Sequence, residues 1–66
     1  MLIAQRASAR LAYDVPLGSR VVVRPPTAQP LRGTVVRIDD RYTLVIDVGG
    51  FEVAVDVEDV ATITAR

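Results

Sequence analysis

Apolar side chains recur along this chain at two different spacings. In "LIAQRASARLAY", residues 2–13, Ile3, Ala7 and Leu11 stand four apart, with Gln5, Arg6 and Arg10 among the residues between them. That is the spacing of one face of a helix and predicts a short amphipathic helix over 2–13, ended by Pro16 and Gly18 in "DVPLG". A helix so short is marginal alone in water, so Ile3, Ala7 and Leu11 are expected to dock it across one end of the domain.

From Ser19 onward the period is two, and the chain reads as strands. "RVVVR" (20–24) is a first strand, which the proline-rich "PPTAQP" (25–30) cannot continue, because proline has no ladder donor. "LRGTVVRI" (31–38) is a second strand with Gly33 near its start, where a glycine marks a bend or bulge. "TLVIDV" (43–48) and "FEVAVDV" (51–57) follow, joined by Gly49-Gly50, and "VATIT" (60–64) makes a fifth strand after a corner at Glu58-Asp59. A two-residue Gly-Gly loop is a hairpin signal, because both central residues of the favoured turn need positive φ.

The hairpin dictates its own register. Val48 faces Phe51, Ile46 faces Val53 and Leu44 faces Val55, an all-apolar inner set, while Asp47 faces Glu52 on the other side. Two opposed carboxylates repel. If "DDRYT" (39–43) is a loop of roughly five residues, Val36 and Ile38 stay inside and Arg37 points out beside Asp47, where it offsets the repulsion. A cation held by Asp47 and Glu52 is the alternative.

Composition narrows the chemistry. The chain has 66 residues without cysteine or histidine, which excludes disulfides, the usual zinc sites, thiol nucleophiles and the commonest general base. Asp39, Asp40, Asp47 and Glu52 are the carboxylates from which an acid–base pair would have to come. No nucleophile, metal-ligand cluster or phosphate-cradling loop accompanies them, so no catalytic residue, metal or cofactor is expected. No apolar run nears the length of a membrane helix, and residues 1–13 lack the apolar core of a signal peptide, so a cytoplasmic protein without a membrane role is expected.

Eight basic residues, all arginine, balance eight acidic ones. That balance removes any general attraction to phosphate backbones. The arginines read as a GC-rich coding preference or as phosphate and carboxylate forks. Half of the residues are apolar, a large share for a chain that buries only about 60% of its unfolded surface. Self-association is the ordinary way to hide such an excess.

Five short strands, a bent second strand and an N-terminal helix together outline an all-β domain, a small five-stranded SH3-like or Sm-like barrel occupying the chain as a single unit. "GTVVRIDDRYTLVI" (33–46) resembles the first motif of the Sm-like family at Gly33, Val35, Ile38, Asp39, Leu44 and Ile46. Residues 17–64 also resemble the C-terminal domain of the RimP ribosome maturation factor family. The resemblance implies a base pocket built from Asp39, Arg41, Tyr42 and Thr43, with Thr43 in the place of the family's base-reading asparagine. The family's basic-glycine pair falls on Asp56 and Val57, which puts a carboxylate where the pocket needs a donor.

Two functions follow as expectations. One is a non-catalytic assembly module that binds itself, as a ring, or a protein partner, ribosomal or otherwise. Its expected interface is the last two strands, through Val53, Val55, Val57, Val60, Thr62 and Thr64, which carry few edge-protecting residues. The other is an atypical RNA-binding ring acting through Asp39, Arg41, Tyr42 and Thr43. For the knot Asp39-Asp40-Arg41 itself, the plainer reading is a hairpin bend turned by the Asp39 side chain.

Overall fold

A computed structural model describes residues 4–6 and 11–64. The domain is all-β. Its six strands are β1 (Ala4–Arg6), β2 (Arg20–Val23), β3 (Leu31–Asp40), β4 (Thr43–Val48), β5 (Phe51–Asp56) and β6 (Val60–Thr64), with 3-10 turns at Ala12–Asp14 and Val57–Asp59. They form one antiparallel sheet in the order β1-β6-β2-β3-β4-β5.

The expected α-helix over 2–13 is absent from the described part of that segment. Ala4–Arg6 is a strand paired with Thr62–Thr64, and Ala12–Asp14 is a single 3-10 turn. Ile3 and Ala7 lie outside the described residues, and Leu11 is 37% exposed. The physical reason is a competition for backbone partners. A short helix pays a nucleation cost for few hydrogen bonds, whereas the second edge of β6 offers ready-made donors and acceptors. The chain therefore has a sixth strand that side-chain periodicity does not reveal.

The core comes from one face of the sheet. Val21 and Val23 of β2, Val35 of β3, Leu44 and Ile46 of β4, Val55 of β5 and Val60 of β6 are buried together with Ala12, Val15 and Val57. No helical layer covers them among the described residues, and the chain measures 30 × 23 × 22 Å, far thicker than one flat sheet. The sheet curls so that its inner face packs on itself and on the segment before β2. Backbone bonds hold that segment down: Gly18 N–H donates to Val35 O at 2.8 Å, and Val35 N–H donates to Ser19 O at 2.9 Å.

β3 makes the curl possible. It runs to Asp40, two residues beyond the expected end, and its pairing with β4 slips between Val35 and Arg37 and again between Ile38 and Asp40. Each slip inserts an extra residue that bends the strand and increases its twist. The first of them reverses an expectation: Val36 points outward and is exposed, while Val35 and Ile38 turn toward the core. Gly33 plays a different part. A Cβ there would lie 2.6 Å from the backbone oxygen of Asp47 and 3.1 Å from side-chain atoms of Ile46 and Val48, so glycine allows β3 and β4 to meet closely.

The β4–β5 hairpin has the register that its turn dictates, from Val48 opposite Phe51 to Thr43 opposite Asp56. Gly49 and Gly50 both have positive φ, 60° and 95°, as a two-residue turn between twisted strands requires. Phe51 belongs to the inner set by alternation, yet it is 76% exposed. It sits at the hairpin tip, beyond the reach of the core.

Candidate functional site

Asp39 to Thr43 form the tight connection between β3 and β4. The expected five-residue loop is a two-residue turn, Arg41-Tyr42, between the paired residues Asp40 and Thr43. The aspartate that organises it is Asp40 and not Asp39: Tyr42 N–H donates to Asp40 Oδ1 at 2.9 Å. Both turn carbonyls are also engaged, Arg41 O by Ala12 N–H at 2.7 Å and Tyr42 O by Val57 N–H at 2.8 Å. The knot is a pinned hairpin bend. An aspartate two residues before a turn N–H is a recurrent local device, and two aspartates in succession hid which of them performs it.

The bond from Tyr42 N–H, followed by the Thr43 hydroxyl and the nearby Arg41 guanidinium, holds the Asp40 carboxyl below its ordinary value of 3.8. A carboxylate with a depressed folded pKa adds stability above the unfolded value, and this is lost as pH falls through the folded value. Asp40→Ala is therefore expected to lower the urea midpoint at neutral pH, and the gap to wild type should close as the pH drops below the ordinary value. A gap independent of pH would show that the ionised carboxylate is not what holds the turn.

The four residues of the implied base pocket are adjacent, but they do not enclose a site. Arg41 and Tyr42 point to solvent, with the Arg41 guanidinium 6.0 Å from the Tyr42 ring centre, at the outer limit of a cation–π contact. Asp39 and Asp40 are exposed beside them, and Thr43 is half-buried. Asp56 and Val57, on which the resemblance places a basic-glycine pair, have structural uses. Asp56 Oδ1 accepts from Glu58 N–H at 2.9 Å and caps the turn Val57–Asp59, while Val57 is in the core.

On the outer face of β4 and β5, Asp47 lies opposite Glu52 as expected, but Arg37 is drawn to Glu52 and not to Asp47. Asp47 instead accepts from Gly50 N–H at 3.1 Å and steadies the hairpin turn. Among the described residues no three carboxylates gather as a metal-ligand group. Arg37 is the cross-strand neighbour of Val45, which is buried although it belongs to the outer set. Paired with Val45 on β4 and bonded to Glu52 on β5 beyond it, Arg37 is placed to lay its stem over Val45. Arg37→Ala is expected to cost about 0.5–1 kcal/mol, more through lost cover than through the exposed ion pair, and Arg37→Met should recover most of it. A urea titration of the two variants separates cover from charge.

The six interface candidates divide between two environments. Val53 and Val55 lie on β5, which among the described residues has a neighbour on one side only, although Val55 is turned into the core. Val57 and Val60 are core residues, and Thr62 and Thr64 lie on β6 between β1 and β2. The open edge of β5 exposes a definite set of groups. The bond from Val57 N–H to Tyr42 O fixes the parity of the β4–β5 ladder. Antiparallel bonds recur at every second residue, so Val53 and Val55 bond to β4, and the N–H and C=O of Glu52, Ala54 and Asp56 point away from it.

Formal charge is unevenly distributed along the sheet. Residues 15–36 contain three arginines and no acid, whereas residues 37–59 contain seven acids and two arginines. The former span holds β2 and the start of β3, where an open groove of about 280 Å³ lies among Arg20, Val22, Arg32, Thr34 and Thr64. Net charge concealed this division, although it was present in the order of the residues. No helix among the described residues is long and apolar enough to cross a membrane. No family model matches the chain, and neither the curated proteins nor the solved structures contain a match to it.

Proposed function

We propose that the chain is a non-catalytic assembly module, a small barrel of Sm-like type that joins copies of itself through the open edge of β5. The outer side of β5, unpaired among the described residues, with Glu52, Ala54 and Asp56 directing backbone donors and acceptors away from β4, carries the reading. The barrel form draws support from the two slips in β3 and from an inner face buried with no helical layer over it among the described residues.

The receiving edge is β5 of a second copy, because β6 is flanked within the chain by β1 and β2 and the other terminal strand, β1, offers only the three residues Ala4–Arg6 against the six of β5. Two identical edges meet antiparallel about a two-fold axis. Only registers that keep inner residues opposite inner residues are compatible with a buried face. Centring on Ala54 would place Glu52 against Asp56 of the other copy, two like charges. Centring on Val53 pairs Glu52 with Ala54 and brings Phe51 opposite Val55, so this register wins.

Ala54→Pro tests the assignment, because it removes an N–H that the chain itself does not use. Light scattering should show wild type as a dimer at high micromolar concentration and Ala54→Pro as a 7.2 kDa monomer that still unfolds cooperatively. Val53→Pro, which removes a bond to β4, should unfold instead. A wild-type monomer, or an Ala54→Pro dimer, overturns the reading.

A further inference from the structure

The acid-poor part of the sheet presents an arrangement that assembly through β5 leaves unused. Thr64, Arg20 and Thr34 stand in one row across β6, β2 and β3, because Arg20 is paired with Thr64 on one side and with Thr34 on the other. Arg32 is opposite Val22, one step along the same face. It is thus a diagonal neighbour of Arg20, at a spacing of about 7–8 Å. The short side chains of Val22, Thr34 and Thr64 between the two long arginines leave the groove of about 280 Å³.

No carboxylate lines that groove. The ion pair among the described residues joins Arg37 to Glu52, and Asp40, Asp47 and Asp56 are each engaged with a backbone N–H. Arg20 and Arg32 are exposed, with no acid partner among the described residues.

We propose that this groove binds a phosphate group, held by the Arg20 and Arg32 guanidinium forks and flanked by the Thr34 and Thr64 hydroxyls. Each guanidinium is a planar fork of donors suited to oxyanions, and each hydroxyl adds a donor that rotates to suit its partner. Two forks and two hydroxyls supply more donors than the two oxygens of a carboxylate can use. A phosphate, with three strong acceptor oxygens at tetrahedral angles, uses them better. The chemistry is shared by a small phosphorylated molecule and by the backbone of a single-stranded nucleic acid. It places phosphate on the sheet face of β6, β2 and β3, away from the turn at Arg41-Tyr42, where neighbouring aspartates oppose it. The inference does not depend on assembly through β5.

The test uses the full chain at low salt with two probes, pyrophosphate followed by calorimetry and a labelled oligouridylate followed by anisotropy. Binding of either probe that weakens at least tenfold in both Arg20→Gln and Arg32→Gln supports the site. Comparable affinities for the two probes assign it to a small phosphorylated ligand. A much tighter oligouridylate complex with a steep salt dependence assigns it to a nucleic-acid backbone. Melting curves of the unliganded variants, expected to match wild type because both arginines are exposed, separate lost binding from lost fold. Binding of neither probe overturns the proposal, as does binding unchanged by both substitutions or abolished by Arg41→Gln in their place.

Discussion

Gly33→Ala is expected to destabilise the domain by about 3 kcal/mol or more, which is at or above the upper end of what overpacking a well-formed core usually costs. The added Cβ would stand 2.6 Å from Asp47 O, a backbone atom of the neighbouring strand that cannot rotate away, and 3.1 Å from Ile46 Cδ1 and Val48 Cγ2. Relief requires β3 and β4 to separate, and this is the pairing that curls the sheet. A domain of this length is stable by only about 3–10 kcal/mol, so a large fraction of the total is at stake, and the melting temperature should fall by on the order of 15 °C. Gly49 and Gly50 provide the contrast. Nothing lies within 4 Å of a Cβ at either, but both have positive φ, so alanine there should cost about 1–2 kcal/mol through backbone strain alone. Urea titrations of the three alanine variants measure the order. If Gly33→Ala proves the mildest, steric closeness is not why that position is glycine.

Leu44→Ala should be comparably severe. Leu44 is fully buried and is among the largest such side chains, with Ile46 on the same inner face of β4. Truncation removes the transfer free energy of the lost methyl groups and leaves a cavity, together about 2–5 kcal/mol. Ile46→Val, which removes one methylene from an equally buried site, should cost about 0.5–1.5 kcal/mol. Tyr42→Ala at the exposed turn should stay within about 0.5 kcal/mol of wild type. Chemical denaturation of all three gives the ranking. A Leu44→Ala midpoint close to wild type would mean that the curl does not close on β4. Because the proposed dimer would unfold at a midpoint that depends on concentration, the comparisons require one fixed protein concentration.

Leu44→Ala acts on the part of the molecule that was most legible from the residues themselves, whereas the close approach at Gly33 was not. A Gly-Gly pair between two alternating runs leaves one favoured turn. The turn sets the register, and the register decides which side chains share a face. That chain of constraints is local, so Leu44, Ile46, Val53 and Val55 could be assigned to the inner face with no knowledge of the rest. The same logic failed for Phe51, because alternation assigns a side of the sheet and says nothing about how far along the strand the core extends. It failed for Val36 because the residue inserted at a slip has the same hydrophobic appearance as its neighbours.

The candidate site divides along the same line. That Asp39-Asp40-Arg41 forms a bend followed from its position between two strands. Which aspartate accepts the turn N–H depended on the turn being two residues long, and that length depended on the slips in β3. The arginine groove required both levels: the order of charges along the chain was visible, but only cross-strand pairing put Arg20 beside Thr34 and Thr64 and made Arg32 its diagonal neighbour.

By itself the sequence determined an all-β chain with a glycine-turned hairpin and an apolar inner face, because period-two alternation and positive-φ turns are properties of neighbouring residues. Only the tertiary structure decided the fate of the N-terminal segment. Its four-residue spacing specifies a helix, yet Ala4–Arg6 runs as a strand along β6. Isolated short helices gain little, while an open strand edge offers hydrogen bonds to any backbone that reaches it. That choice covers β6 and makes β1 and β5 the two terminal strands of the described sheet.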